Sequence, residues 1–269
     1  MRPEEGETGL NLFAGEDLKP NLKTPLCLLL DNGSLRPDPT LHLRTIATSL
    51  HGELGVQVQP VSLLHSSGVD SALLDGQPAQ LLEPTLRNHL QAGLQDFVIL
   101  PQFFGPSQAI TEYLPDRIAK ILVQFPHASI RLAECLYNPR DDSGRLLAEV
   151  LLDRLHEVLE ETAFVKPMVA LVDHGTPVPE VNQARQMIAG HLRDLLAHSV
   201  RSVEPCSMER REGPEYDFNE PLLKSLLQQP SFQDDVLVSL LFFSDGNHAG
   251  PGGDIEAICK ASPADSVVL

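Results

Sequence analysis

The segment Pro-Met-Val-Ala-Leu-Val-Asp-His-Gly-Thr, residues 167–176, repeats the pattern of Pro-Leu-Cys-Leu-Leu-Leu-Asp-Asn-Gly-Ser, residues 25–34, at an offset of 142 residues. Each segment contains an apolar run long enough for a buried strand, followed by a polar turn with a glycine. Self-similarity of this kind indicates an internal repeat. We therefore predict that the chain is a duplication, and that each copy begins with one of these strands.

The elements that follow each segment alternate between strand and helix. The sequence predicts further strands near residues 56–64, 97–104, 128–136, 200–208 and 236–243. Helical spacing of apolar residues predicts helices near 41–50, 81–94, 111–125, 146–159, 183–197 and 222–227. Such alternation is typical of βαβ units and a parallel sheet. We predict an α/β fold of two similar, doubly wound parallel-sheet halves that form a cleft, with the halves at residues 25–164 and 165–269.

The two ends of the chain are predicted separately. Residues 1–24 are polar and have no sustained periodicity, which favours a flexible leader. In the first half a helix near 146–159 follows the last strand, whereas the second half stops at Leu269 and lacks such a helix. We therefore expect that the natural protein continues beyond this point or that the given chain is shortened.

The composition limits the classes of partner. Lys and Arg total 20 against 37 Asp and Glu, for a formal charge of −17, and this excess of negative charge disfavours nucleic acid. No apolar stretch approaches 18 residues and no secretory signal is present, so we expect no membrane contact and a cytoplasmic location. The four cysteines form no CxxC pair, which favours buried thiols over disulfides or a thiolate metal site.

Residues at matching strand ends distinguish the two halves. The second half has His174 where the first has Asn32, and it has His248 where the first has Gln108. Glu209 follows the second strand of its half, and we match it to His65 in the first half. Because the carboxyl ends of parallel strands share one edge, we expect His174, Glu209 and His248 to lie together.

Two imidazoles and a carboxylate suit a borderline divalent ion such as Fe²⁺, Co²⁺, Ni²⁺ or Zn²⁺. No more than three protein ligands would leave coordination positions open, as a site that transfers its metal requires. The same groups also suit an acid/base pair, because histidine titrates near neutrality. Asp173, beside the first histidine, either orients an imidazole or caps the following turn.

The loop around His248 is rich in glycine, which allows close approach of the backbone to a ligand. Gly250, Gly252 and Gly253 follow the histidine before helical residues resume. The loop lacks the Lys and the helix-opening Ser or Thr of a nucleotide-binding loop. We therefore expect its glycines to lie against a flat molecule rather than a phosphate.

Three motifs of the second half resemble those of the CbiX-type sirohydrochlorin chelatases, in the class II chelatase superfamily. They are Asp-His-Gly-Thr at 173–176, Cys-Ser-Met-Glu at 206–209, and Phe-Phe-Ser-Asp-Gly-Asn-His-Ala-Gly-Pro-Gly-Gly-Asp-Ile at 242–255. Gln108 has the family's spacing from its histidine to the acid that opens the next helix, here Glu112. The resemblance covers residues 25–269.

The resemblance implies an enzyme, a lyase that inserts Co²⁺ or Fe²⁺ as substrate into sirohydrochlorin, in cobalamin or siroheme biosynthesis, without an organic cofactor. His174 and His248 would bind the ion, and Glu209 would be a third ligand or accept pyrrole protons. The residues implied to line the tetrapyrrole are Gly250, Gly252, Gly253, Asn32 and Gln108.

The sequence departs from the family pattern in two ways. Two-half bacterial relatives commonly have their ligand histidines in the first half, and the loop between His248 and Asp254 is two residues longer than expected. The net negative charge also opposes a ring with eight carboxylates, so we expect local cations to compensate, with Arg36, Arg185, Arg210 and Arg211 as candidates.

Other classes of protein remain open at this stage. A non-catalytic tetrapyrrole- or metal-binding carrier or sensor would also retain this fold and one site. A periplasmic-type binding protein with two lobes is disfavoured by the absence of a secretory signal. The sequence leaves monomer and homodimer as alternatives.

Overall fold

The computed structural model describes residues 24–244, 246, 248–263 and 266–268. Eight strands in this part of the chain alternate with helices. The strands are β1 Leu26–Asp31, β2 Val58–Ser62, β3 Asp96–Pro101, β4 Ser129–Leu132, β5 Met168–Asp173, β6 Ser202–Ser207, β7 Asp235–Leu240 and β8 Ser266–Val268. The α-helices are α1 Pro37–Leu54, α2 Leu82–Gln91, α3 Leu114–Gln124, α4 Ser143–Glu161, α5 Pro179–Leu195, α6 Leu223–Leu226 and α7 Asp254–Lys260.

The strands form two parallel sheets with the same topology. Their orders are β2-β1-β3-β4 and β6-β5-β7-β8, and every neighbouring pair is parallel. The register is also repeated, because Asp31 pairs with Ser62 as Asp173 pairs with Ser207. The predicted α/β class with two doubly wound parallel sheets is therefore confirmed.

Each sheet is buried on both faces, as an all-apolar strand requires. In β1, Leu26, Leu28 and Leu30 pack with α2 and α3, whereas Leu29 packs on the opposite face with α1. Pro37 and Pro179 open α1 and α5, where a fixed φ and a missing N–H suit the first turn. β4 is shorter than the predicted strand at 128–136 because it lies at the edge of the sheet and is mostly exposed.

Helix α4 lies inside the predicted first half but packs on the second sheet. Its Ala148 and Leu155 join a core with Leu171 of β5 and Ile188 of α5. Because of this packing, the end of α5 is shielded from solvent and the end of α1 is not. Leu196, after α5, is 0% exposed, whereas Leu54, at the equivalent place in α1, is 57% exposed. No described element covers α1 as α4 covers α5.

The two sheets meet through their equivalent loops. Phe104 follows β3 and Phe243 follows β7, and their rings stack with centroids 4.0 Å apart and planes inclined by 14°. Equivalent residues in mutual contact are what a local two-fold axis between two similar units produces.

Three further expectations bear on the whole chain. None of the helices in the described part is long and apolar enough to cross a membrane. All four cysteines are free, and burial raises the pKa of the Cys206 and Cys259 thiols, the latter to about 11. The predicted leader, apart from Thr24, and any final helix lie outside the described residues, so both remain predictions.

Candidate metal centre

The structure brings His174, Glu209 and His248 together at the carboxyl edge of the second sheet. His174 directly follows β5, and its Nε2 lies 3.6 Å from Oε1 of Glu209. The main chain joins the same two loops, because the N–H of Glu209 donates to the carbonyl of His174 at 3.2 Å. Both side chains are accessible, with 47% of His174 and 62% of Glu209 exposed.

His248 completes the cluster from the loop after β7. Its ring meets that of His174 edge to face, with centroids 4.9 Å apart. Its Nδ1 lies 2.5 Å from Oδ2 of Asp254, the first residue of α7. A carboxylate at Nδ1 favours the proton on that nitrogen and leaves Nε2 with a free electron pair, as in many metal-binding histidines.

Gly175 explains why the loops that carry His174 and Glu209 lie so close together. Its φ of +95° is in the region that favours glycine, and a Cβ built there would lie 1.9 Å from the carbonyl oxygen of Glu209. No other residue type fits this contact without moving the loops apart. The glycine of the His-Gly-Thr pattern is therefore required by the packing of the two loops, as is Gly33 in the first half, where a Cβ would clash with the carbonyl oxygen of Leu64.

Asp173 stabilises the turn beneath His174. Its Oδ1 accepts hydrogen bonds from the N–H of Gly175 at 3.1 Å, from Ser207 Oγ at 2.7 Å and from Arg185 Nη1 at 2.8 Å. Arg185 Nη1 also donates to Ser207 Oγ. Of the two roles predicted for Asp173, these contacts favour the turn cap, because all of them hold the backbone and neighbouring polar groups and none reaches an imidazole.

The glycines of the His248 loop differ in exposure. Gly250 and Gly253 are buried within the loop, and the N–H of Gly253 donates to the carbonyl of Gly250 at 2.9 Å. Gly252 is exposed and has a φ of +73°. A cavity of about 450 Å³ lies beside Glu209 and Asp254, bounded by α6 and α7. Contact of a ring with the three glycines remains a prediction, and Gly252 is the member of the three with an open surface.

The first half presents a different set of groups at its sheet edge. Asn32 directly follows β1, and Gln108 precedes the π-helical turn Ala109–Tyr113 in the segment after β3. Both are exposed, and no described contact joins either of them to the histidine cluster. The match of Glu209 to His65 is wrong by one residue. Leu64 donates its N–H to the carbonyl of Asn32 as Glu209 does to that of His174, so Leu64 is the counterpart of Glu209.

The four arginines proposed to compensate negative charge have different surroundings. Arg185 is 0% exposed and is committed to Asp173. Arg210 pairs with Glu220 at 2.8 Å and Asp217 at 3.1 Å. Arg211 is exposed with its guanidinium 5.9 Å from the ring of Tyr216, and Arg36 donates its N–H to Ser34 Oγ. Arg185 is therefore wrong as a ligand-facing cation, because burial places it beneath the site.

The side chains of the cluster are close together but are not arranged as the ligands of one metal ion. In the part of the chain that the structure describes, no group of three His, Cys, Asp or Glu side chains is placed to hold one metal ion. His174 and Glu209 face each other, while Nδ1 of His248 is taken by Asp254. Binding of one ion by all three side chains therefore requires side-chain rotation, which their exposure permits.

Sequence reasoning gave no role to Asp254 and misplaced Arg185. Asp254 carried one usable signal, which was its position as the acid that opens a helix shortly after a histidine. Arg185 is the counterpart of Leu43 at the offset of the repeat, and an arginine on the buried face of a helix indicates a buried acid nearby.

Asp31 is the counterpart of Asp173 in the first half, where no arginine occupies the position of Arg185. Burial raises the pKa of Asp31 from an ordinary 3.8 to about 6. Because the folded pKa lies above the unfolded one, the stability that the neutral carboxyl provides is present below pH 4 and is lost as pH rises towards 6.

We expect Asp31→Asn to raise the free energy of unfolding by about 2 kcal/mol at pH 8 and to change it little at pH 4. Urea denaturation at the two pH values measures this, with the exposed Asp153→Asn as control; equal effects at both pH values would contradict it.

Comparison with known proteins gives the class of fold. No family model and no curated protein matches the chain. Among solved structures, SirB from Bacillus subtilis with Fe³⁺ matches with a TM-score of 0.62 and 15% identity, over 88% of this chain and 83% of that one. The sirohydrochlorin chelatase SirB from Bacillus subtilis subspecies spizizenii in complex with cobalt matches with a TM-score of 0.60 and 13% identity, over 91% and 86%.

A third structure agrees with these two. CbiX, described as the terminal enzyme for biosynthesis of siroheme in denitrifying bacteria, matches with a TM-score of 0.55 and 13% identity, over 92% of this chain and 90% of that one. Near-complete coverage of both chains means that the similarity extends through both sheets. The chain has the CbiX-type fold seen in SirB and CbiX.

Proposed function

We propose that this protein inserts a divalent metal ion, Co²⁺ or Fe²⁺, into sirohydrochlorin or a closely related tetrapyrrole. The observation that carries the proposal is the meeting of His174, Glu209 and His248 at one edge of a sheet. The chelatase fold supports it. Cobalamin or siroheme synthesis, a cytoplasmic location and a monomeric or homodimeric state belong to the same proposal.

The chemistry follows from the groups that the cluster presents. Nε2 of His248 and an imidazole nitrogen of His174 bind the incoming ion, and the open positions accept the ring nitrogens. Insertion releases two protons from the pyrrole nitrogens. The carboxylate of Glu209, 3.6 Å from His174 and 62% exposed, accepts one of these protons, and the other passes to solvent at this exposed site.

Absorbance spectra distinguish this enzyme from a carrier or sensor. Sirohydrochlorin is mixed with Co²⁺ or Fe²⁺ in excess over the protein, and the spectrum of the metallated ring is followed with and without protein. We expect many equivalents of product per protein and a rate proportional to protein concentration. A change that stops at one equivalent would identify a binding protein and would contradict the proposed catalysis.

Asp254 supplies a second test through the metal alone. Asp254→Asn keeps the shape of the side chain but removes the charge that holds the proton on Nδ1 of His248. We expect Co²⁺ affinity to fall about 10-fold, as is usual when the partner of a ligand histidine is changed. Calorimetric titration with Co²⁺ measures it, and Glu256→Gln, which removes a charge from the same first turn of α7, is the control. An unchanged affinity in Asp254→Asn would separate His248 from metal binding.

A further inference from the structure

A short segment between β6 and α6 binds the loop that carries His174. The segment, residues 213–220, contains the 3₁₀ helix Pro214–Asn219. Asn219 is 0% exposed, and its side-chain amide binds the main chain of Thr176 twice. Its Oδ1 accepts from the N–H of Thr176 at 3.0 Å, and its Nδ2 donates to the carbonyl of Thr176 at 2.9 Å. The amide therefore pairs with this loop as a neighbouring strand would, two residues after His174.

The orientation of the Asn219 amide is fixed by its other contacts. Its Nδ2 also donates to the carbonyl of Tyr216 at 3.1 Å, so both N–H groups of the amide are used. Beside it, Arg185 Nη2 donates to the carbonyl of Phe218 at 3.5 Å, which joins the segment to the network beneath Asp173. Rotation of the amide would break several hydrogen bonds at a buried position, which is unfavourable.

The same segment binds the loop that carries Glu209, through Arg210. Nη1 of Arg210 donates to the carbonyl of Gly213 at 3.0 Å and lies 3.1 Å from Oδ1 of Asp217. Nε donates to Oε1 of Glu220 at 2.8 Å. A single ion pair at a surface contributes little, but three acceptors from one segment fix the plane of the guanidinium. Because Arg210 directly follows Glu209, the segment is attached to both loops of the candidate metal centre.

The first half, which has no histidine cluster, lacks the contact made by Asn219. Leu81 and Leu222 form equivalent bridges to the second strands of their halves. Three residues earlier, the first half has Pro78 where the second half has Asn219. Proline has no side-chain amide and cannot pair with a loop in this way. The contact is thus confined to the half that contains His174 and His248.

We propose that residues 213–220 form a clamp that positions His174 and Glu209 for metal binding, with Asn219 and Arg210 as positioning residues. This inference rests on the proposed function. Because 47% of His174 and 62% of Glu209 are exposed, neighbouring side chains restrain them little, and their placement depends on the main chain of their loops. The clamp fixes both loops and holds Nε2 and Oε1 3.6 Å apart before an ion arrives. Such preorganisation favours binding because less freedom is lost on association.

Calorimetric titration of the full chain with Co²⁺ tests the clamp through the metal alone. We expect Asn219→Ala to lower Co²⁺ affinity about 10-fold, as changes to residues that orient ligands commonly do. Arg210→Ala alters a partly exposed side chain and leaves the core intact, and we expect a smaller fall of about 3-fold. Phe97→Leu weakens the core of the first sheet, far from both loops in the chain, and should bind Co²⁺ like the wild type. An unchanged affinity in either clamp variant would overturn the inference.

A double-mutant cycle shows whether Asn219 acts through His174. In a His174→Ala background, Asn219→Ala should lower Co²⁺ affinity by less than about 2-fold further, because the side chain that it positions is gone. A role in stability alone predicts the same loss in both backgrounds, and that result would overturn the clamp while leaving the proposed function in place. A wild-type protein that does not bind Co²⁺ would contradict the proposed metal centre and the clamp together.

Discussion

His174→Ala and His248→Ala are each expected to lower the rate of metal insertion by at least about 100-fold, because each removes one of few groups that bind the ion. Stability should change little, within about 1 kcal/mol, since 47% of the His174 side chain and 41% of the His248 side chain are exposed. The measurement is the initial rate of Co²⁺-sirohydrochlorin formation, together with urea denaturation of each variant.

The control for both variants is His198→Ala. His198 is also exposed and belongs to the second half, but it lies in the turn after α5, at the opposite end of the strands from the cluster. It should insert metal at the wild-type rate. If either cluster variant retained more than half of the wild-type rate while His198→Ala behaved as expected, that histidine would not bind the metal during insertion.

Much of the fold could be predicted from local sequence because buried parallel strands have a distinctive form. The apolar runs that became β1 and β5 are bounded by proline and by a glycine turn, so their ends were well defined. The repeat then placed equivalent elements in equivalent positions. β4 was less well predicted, since an exposed edge strand carries little apolar pattern and its ends are set by pairing with β3.

Contacts between elements were harder to predict than the elements. The apolar face of α4 is plain in the sequence, but periodicity does not say which sheet that face meets, and Leu155 packs on the second sheet rather than the first. Similarly, the choice of the residue in the first half that corresponds to Glu209 depended on the length of the loop after the second strand. The pairing of Asp31 with Ser62 and of Asp173 with Ser207 identifies Leu64 as the counterpart of Glu209. This register is set by hydrogen bonds between strands.

The candidate site was predictable to the extent that strand ends share an edge. His174, Glu209 and His248 meet as that rule requires. The interaction of His248 with Asp254 depends on how a glycine-rich loop folds back on α7, which sequence alone does not determine. The network of Asp173, Ser207 and Arg185 needed the three-dimensional position of α5, because these residues come from three separate elements.

Arg185→Leu should have the largest effect on stability, because it gives the second half the residue that the first half has at Leu43. It would leave the carboxylate of Asp173, only 14% exposed, without the guanidinium now 2.8 Å away. Removing one partner of a buried ion pair typically lowers the free energy of unfolding by about 3–5 kcal/mol. The loop with His174 would lose support as well, since Asp173 also accepts from Gly175.

The double variant Arg185→Leu/Asp173→Asn tests this explanation. If the loss in Arg185→Leu comes from the unneutralised charge, the added Asn removes that charge and restores about half of the lost free energy of unfolding. If the loss comes from packing around α5, the second change adds to it, because Asn forms weaker bonds to Gly175 and Ser207. Urea denaturation of both variants decides between these outcomes. A restored double variant would also explain how the first half tolerates Leu43, since burial keeps the pKa of Asp31 raised and much of that carboxyl neutral near pH 6.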